Sequence, residues 1–575
     1  VVRIRKIEIN NFRSIRSFSW APSEGINCLI GLGDGGKSTV LDAIDYCLGA
    51  RRNLNISDTD FFNLDVTQDI IIRLTLGSLP DSLKSIEHYG ACLRGFDQAT
   101  GEVEDEPRKG LEMVLTQRLT VKADLEPVWS LFSERTVTED PPRALRWKDR
   151  TALAPARLGY HPNANLSWTR GSVLNRLSDE RANVGSELLK AAREARSGFG
   201  ARAAPQLENA LKAVTKTANS LGVPVGASAT ALLDTHAVSF GDGAISLHSE
   251  DGIPLRNLGT GSSRLLIAGL HREAAALASV VLVDEIEYGL EPHRLTRLLN
   301  SLGSKEKTPP LQAFITTHSP VALRELTGTQ LFVLRTHTGG HQAEPVGADN
   351  DVQGAIRAYP EAFLARTVLV CEGASEIGFI RGLNDFFVNE GDESLQSSGV
   401  SYADAGGGEA DTCFHKAKAF QKLGYRVAVV QDADKAPTAK LVEEFKTAGG
   451  YHVTWRGGKA LEDELFTSLP DDAVDKLIAR ALQLTEDGKV DAHIKTKSDG
   501  KLNLDKVQIE SLVGEYSFET RVVLGIASRT RKAGWFKSIS KMEAVARDIV
   551  GPHLKDADED FIGIVAALFK WAHNA

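Results

Sequence analysis

The sequence predicts an α/β protein made of two successive α/β units, and three observations carry that prediction. Short apolar strands at residues 26–30, 280–283, 367–370 and 427–430 run into glycine-rich or acidic turns. Helical periodicity follows the glycine-rich turn, with Val40, Leu41, Ile44 and Leu48 on one face. A long alanine-rich stretch of helical spacing then interrupts the first unit.

Composition bounds the answer. The 575 residues, 42% hydrophobic and 25% charged, suit three or four globular domains and exclude a disordered, collagenous or disulfide-stapled chain. No apolar run reaches the roughly 18 residues of a membrane span. Residues 1–10 carry three basic side chains without a continuous apolar core, so no signal peptide is expected there. Cys28, Cys47, Cys92, Cys371 and Cys413 are scattered and form no CxxC pair, which points to a reducing, cytoplasmic setting. A net charge of −9 means that any contact with nucleic acid must use local basic patches.

Taken in order, residues 3–9 alternate polar and apolar, the period of a half-buried strand. Residues 26–30 form a buried strand, 38–48 a helix and 70–76 another strand. The pattern is mixed from 81 to 150 and breaks at Pro107, Pro127 and Pro141-Pro142. Residues 166–233 read as an inserted helical arm. The α/β pattern returns at Gly252, and a second α/β unit opens at Thr367 and ends in a helical, basic tail. The expected domains are 1–150 and 251–350 as two parts of one α/β domain, 151–250 as the arm, and 360–575 as the second unit.

Gly31-Leu32-Gly33-Asp34-Gly35-Gly36-Lys37-Ser38 fits G-x-x-x-x-G-K-[ST] between a strand and a helix. Glycines let successive backbone N–H groups wrap a phosphate; Lys37 suits the outer phosphates and Ser38 a Mg²⁺ ion. Val281-Leu282-Val283-Asp284-Glu285 is a strand ending in two carboxylates, Asp284 suited to the ion and Glu285 to orienting water. Gly289-Leu290-Glu291-Pro292-His293 and Thr316-Thr317-His318-Ser319-Pro320 follow, and Leu258-Gly259-Thr260-Gly261-Ser262-Ser263-Arg264 precedes. In this order the set resembles the ATP-binding cassette family, in the branch of recombination and chromosome-maintenance ATPases. The resemblance covers residues 1–80 and 250–340. It implies ATP on Gly31, Asp34, Gly35, Gly36, Lys37, Ser38 and Thr39, Walker B residues Asp284 and Glu285, a switch histidine at His318 and a signature loop at 258–262. That loop departs from Leu-Ser-Gly-Gly-Gln, keeping Leu258 and Gly261 in register. A glutamine loop falls at Gln68 or Gln117.

The second unit carries its own acids. Glu372-Gly373-Ala374-Ser375-Glu376 follows the strand at 368–371, and Asp432-Ala433-Asp434 follows the strand at 427–431. Period 2 would point both aspartates the same way. Four clustered carboxylates repel without a cation, so one or two Mg²⁺ or Mn²⁺ ions are expected. This pattern resembles the TOPRIM fold of topoisomerases, primases and certain nucleases. Joined to the cassette half, the chain resembles the OLD (overcoming lysogenization defect) family of endonucleases, including Gabija-type phage-defence nucleases. The resemblance covers most of the chain outside the arm. It adds the glycine-rich turn at residues 404–408, Glu462 and Glu464 as metal ligands beside Glu372, Glu376, Asp432 and Asp434, and a late catalytic lysine, Lys537 in preference to Lys532. Six basic and no acidic side chains lie between 521 and 541, a pattern that a solvated basic face would also produce.

The resulting expectation is an ATP-hydrolysing, metal-dependent DNA endonuclease, with DNA and a homodimer or higher oligomer as partners and no membrane. Some relatives add a helicase encoded nearby. Two alternatives stay open: a DNA-repair or structural ATPase that binds DNA without cutting it, and a strand-passing enzyme using Tyr402, Tyr425, Tyr451 or Tyr516.

Overall fold

The computed structural model describes residues 2–139, 141–158, 174, 184–221, 224, 226–230, 247–273, 280–530 and 533–574. The chain divides into two compact units, residues 1–27 with 38–316, and residues 28–37 with 317–575. Among the described residues no helix is long and apolar enough to cross a membrane.

The first unit has an antiparallel sheet ordered Val103–Glu104, Leu93–Phe96, Glu112–Val121, Ile70–Gly77, Arg3–Phe12, Ile15–Trp20. Its register sets Ile7 opposite Leu74 and Trp20, and Ile9 opposite Ile72 and Phe18, all buried. Pro127–Phe132 adds to Glu112–Val121. The region that reads as mixed between 81 and 150 therefore contributes four strands to this sheet, between short helical turns. Its strands hide their alternation because Val114, Leu115, Thr116 and Gln117 are all buried in succession. A parallel set, Ala156–Leu158, Val280–Val283 and Gln312–Thr316, places Val283 between Leu158 and Ile315. Helix Lys37–Leu48 buries Val40, Leu41, Ile44 and Leu48. Of the arm, the structure describes chiefly helix Val184–Ser220, which exposes Leu207 and Val214 one heptad apart.

In the second unit, Leu331–His337 pairs in parallel with Ile26–Ile30 and turns into the antiparallel strand Gly340–Pro345. Beyond it lies a parallel sheet ordered Val400–Asp404, Thr367–Cys371, Arg426–Gln431, Tyr451–Thr454. In chain order this is 2-1-3-4, so the winding reverses beside Thr367–Cys371. Groups at the C-terminal ends of strands in such a reversal face a crevice. Helix Ala374–Glu390 covers this sheet and itself receives helix Ile539–Val545.

That helix pair is held close by two missing side chains. A Cβ on Gly378 would stand 2.4 Å from Ile539 O, and one on Gly382 2.2 Å from Glu543 O. Gly378→Ala and Gly382→Ala should each cost about 1–3 kcal/mol by overpacking. Gly563→Ala, in the open on helix Glu559–His573, should instead gain about 0.5–1 kcal/mol from helix propensity. Urea unfolding of the three variants checks the contrast.

Candidate functional site

The phosphate-loop residues of the second unit adopt a conformation that depends on glycine. Gly31 has φ +138°, and a Cβ there would lie 2.7 Å from Leu334 O. Gly36 and Asp34 also take positive φ, at +84° and +57°. Lys37 folds back over the loop, its Nζ donating to Gly31 O at 3.1 Å and Leu32 O at 2.6 Å.

In the first unit Ser38 Oγ donates to Asp284 Oδ1 at 2.9 Å, and Thr316 Oγ1 donates to the same oxygen at 2.6 Å. Glu285 is held at φ +43°, its N–H donating to Thr316 Oγ1 at 2.8 Å. Thr316 thus holds the Asp284 carboxylate and the Glu285 backbone together, and no motif marks it for that role in the sequence. Arg264, 1% exposed on helix Thr260–Glu273, donates to the carbonyls of Asp284, Glu285 and Tyr288. Gly261 lies where a Cβ would meet Gly289 O at 2.8 Å, so the signature helix sits tightly on the turn after Walker B. Arg157 pairs with Asp42 at 2.6 Å and approaches Asp284 at 3.9 Å. Thr39 Oγ1 shares a hydrogen bond with Ser14 Oγ at 3.3 Å. His318 is exposed in the turn after Gln312–Thr316. Of the two rival glutamines, Gln117 is buried in the antiparallel sheet and Gln68 is exposed in a turn.

The second unit holds a cavity of about 450 Å³ at the reversal of its parallel sheet. Six carboxylates line it, from Glu372, Glu376, Asp404, Asp432, Asp434 and Glu462, with cations from Lys435, Arg529 and Lys537. Asp432 N–H donates to Glu372 Oε2 at 3.0 Å, and Leu461 N–H to Asp432 Oδ1 at 2.9 Å. Glu376 caps its own helix by accepting from Gly373 N–H at 2.9 Å, and Glu462 accepts from Ser375 Oγ at 3.2 Å. The glycine turn after Val400–Asp404 lines the opposite rim, with positive φ at Gly406, Gly407 and Gly408.

Burial and mutual repulsion leave these acids reluctant to ionise. Burial first, then Glu462 and Glu372, pushes Asp432 up to about 8. Burial also raises Glu376, helped by Asp432 and Glu462, and raises Glu462 against the pull of Lys537. Hard oxygen donors carrying this much uncompensated charge fit a divalent cation chemically. Among the described residues, however, no three His, Cys, Asp or Glu side chains converge around a single ion position as they stand.

Two expectations need correction. Glu464 does not reach the cavity: it is fully buried, bound by Arg456 at 2.7 Å and by Ser468 Oγ at 2.7 Å. Glu462 and Glu464 are two residues apart on helix Leu461–Ser468, so they point to opposite faces. Asp432 and Asp434 lie beyond the last strand residue, Gln431, so strand alternation does not govern them. Lysine 537 lines the cavity, whereas Lys541 Nζ turns to Leu484 O at 3.4 Å, and Lys532 lies outside the described residues. None of Tyr402, Tyr425, Tyr451 and Tyr516 lines the cavity.

A family described as "AAA domain, putative AbiEii toxin, Type IV TA system" matches residues 26–324, more than half of the chain. The chain belongs to this family. It therefore carries an ATPase domain of that family, and the phosphate loop and both Walker B acids fall inside the matched span. Curated relatives match locally: DNA replication and repair protein RecF of Chlorobium phaeovibrioides is 46% identical over 57 residues, 10% of this chain and 15% of that protein. The same protein of Chlorobium luteolum is 44% identical over 59 residues, 10% of this chain and 16% of its own length. The chain thus spans under a fifth of the length of these relatives. Among solved structures, the SMC head domain from Thermotoga maritima aligns at TM-score 0.28 and 12% identity, over 60% of this chain and 100% of that one. The recombination mediator protein RecF-ATPrS aligns at TM-score 0.30 and 13% identity, over 60% and 98%.

The acidic cavity makes a pH prediction for this family member. An acid whose pKa is higher folded than unfolded favours folding at low pH, and that advantage is lost as pH rises through the folded pKa. For Asp432 the window runs from about 4, the ordinary carboxylate value, to about 8. Asp432→Asn should therefore gain stability relative to the parent as pH rises across it in metal-free buffer. Thermal melts of both proteins at pH 5 and pH 8 check this.

Proposed function

We propose that the chain is an ATP-hydrolysing, divalent-metal-dependent DNA endonuclease. One observation carries this reading: six carboxylates and three cations line a single cavity at the strand ends of a parallel sheet. Glu372, Glu376, Asp432, Asp434 and Glu462 would hold one or two Mg²⁺ or Mn²⁺ ions, which supply an activated water and offset phosphate charge. Lys537 would place its ammonium against charge gathering on the attacked phosphate. The turn at Gly406, Gly407 and Gly408 leaves room for a nucleic-acid backbone. In the ATPase domain Lys37 would meet the outer phosphates of ATP, with Ser38 and Asp284 as ligands for its ion. Glu285 would orient water, His318 would contact the outer phosphate, and Gly261 would serve the nucleotide of a second copy. This last role makes the protein a homodimer or higher oligomer, for which Leu207 and Val214 on the arm helix offer exposed apolar contacts. A phage-defence setting, with a helicase from a neighbouring gene, is the context this reading suits.

A second reading, a DNA-repair ATPase that binds DNA without cutting, is favoured by the local identity to RecF proteins. Plasmid nicking with Mg²⁺ or Mn²⁺, with and without ATP, separates the two. Asp432→Asn should lower nicking by more than the roughly 10²–10⁴-fold of a single acid–base group and leave ATP hydrolysis intact. Lys37→Ala should abolish ATP hydrolysis and spare metal-dependent nicking. A parent protein that hydrolyses ATP and shifts DNA in gels, yet never nicks it, would establish the second reading.

A further inference from the structure

The cavity contains a cation of its own. Arg529, at the C-terminal cap of helix Phe518–Ser528, reaches Asp434 Oδ2 with one terminal nitrogen at 2.8 Å and Asp463 Oδ2 with the other at 3.2 Å. Helix packing puts it there. Gly525 lies so close to helix Leu461–Ser468 that a Cβ would stand 2.9 Å from Asp463 Cα.

The pairing differs from an ordinary surface ion pair. Arg529, Asp434 and Asp463 side chains are only 28%, 25% and 10% exposed. The guanidinium spans two carboxylates with one contact to each, rather than gripping one of them through two parallel bonds. Among the described residues its buried Nε finds no hydrogen-bond partner, and neither does Asp463 Oδ1. Such incomplete satisfaction is costly in a half-buried place, and arginine cannot relieve it by losing its proton. The two acids are also held unequally. Asp463 accepts from Ala460 N–H at 2.9 Å as the cap of its helix, whereas Asp434 stands in the turn beyond Arg426–Gln431 and lines the cavity.

We propose that Arg529 is a positioning residue that acts as a resident counter-cation: it holds Asp434 while no divalent ion is bound and yields it when one binds. This rests on reading the cavity as a divalent-cation site. It accounts for the absence of a closed ligand set, because one lining carboxylate is turned to a guanidinium. On release Arg529 keeps Asp463 and presents its freed edge to the cavity, a shape suited to a phosphate of the nucleic-acid backbone. The charge in the cavity then changes by exchange, one cation replacing another at Asp434.

The test is Mn²⁺ titration of the nucleotide-free full chain by calorimetry, in the parent, R529M, D434N and the double variant. Heat that Asp432→Asn removes is assigned to the cavity. R529M should bind Mn²⁺ several-fold more tightly than the parent and melt at a lower temperature without metal. The gain in affinity should disappear in the D434N background, since Arg529 acts through Asp434. R529K, which keeps the charge and loses the fork, should shift affinity in the same direction by less, and it serves if R529M does not fold. Equal or weaker Mn²⁺ binding in the arginine variants, with the parent binding normally, overturns the counter-cation role alone. A parent that binds no Mn²⁺ in the cavity overturns the cation-site reading and this inference with it.

Discussion

Like charges forced together at the ends of parallel strands are the constraint around which the C-terminal unit is organised. Glu372 and Asp432 follow adjacent strands in register, so the backbone hydrogen bonds of the sheet dictate their separation. Side-chain rotation cannot carry both acids far apart without breaking the N–H donations they accept. The fold answers with helix N-termini and cations. Glu376 and Asp463 each cap a helix start, where the dipole favours negative charge. Lys435, Lys537 and Arg529 come in from elsewhere in the chain.

The ATPase domain shows the same dependence of chemistry on backbone. Its phosphate loop bends because Gly31 and Gly36 tolerate positive φ. Its Asp284 carboxylate and the backbone of Glu285 are held by Thr316 at the end of the neighbouring parallel strand. Strand pairing therefore sets Thr316 beside Asp284, with Arg264 fastening helix Thr260–Glu273 to the same strand end.

What the sequence made legible was local. A phosphate loop, an acidic strand end and a glycine-rich turn each occupy fewer than a dozen residues, and their physics acts over that length. Strands Val280–Val283 and Thr367–Cys371 could be read from their apolar runs because parallel strands are buried on both faces. Non-local partnerships were not legible. Arg529 is 95 residues from Asp434, and nothing in its own neighbourhood marks it apart from the other basic residues of the tail. The sheet between 93 and 132 was missed because buried runs erase alternation. Glu464 can be separated from Glu462 on helical geometry alone, since residues two positions apart face opposite sides.

The two glycines of helix Ala374–Glu390 have a bearing on the cavity itself. Glu376 begins that helix, and Lys537 stands just ahead of the helix that rests on Gly378 and Gly382. The spacing of an acid and a base on the cavity wall is thus gauged by main chain lying against main chain. Flexible side chains usually give an active centre some tolerance to drift in its surroundings. Here two absent methyl groups set how closely the helices approach, so this seam behaves as a fixed mechanical fit.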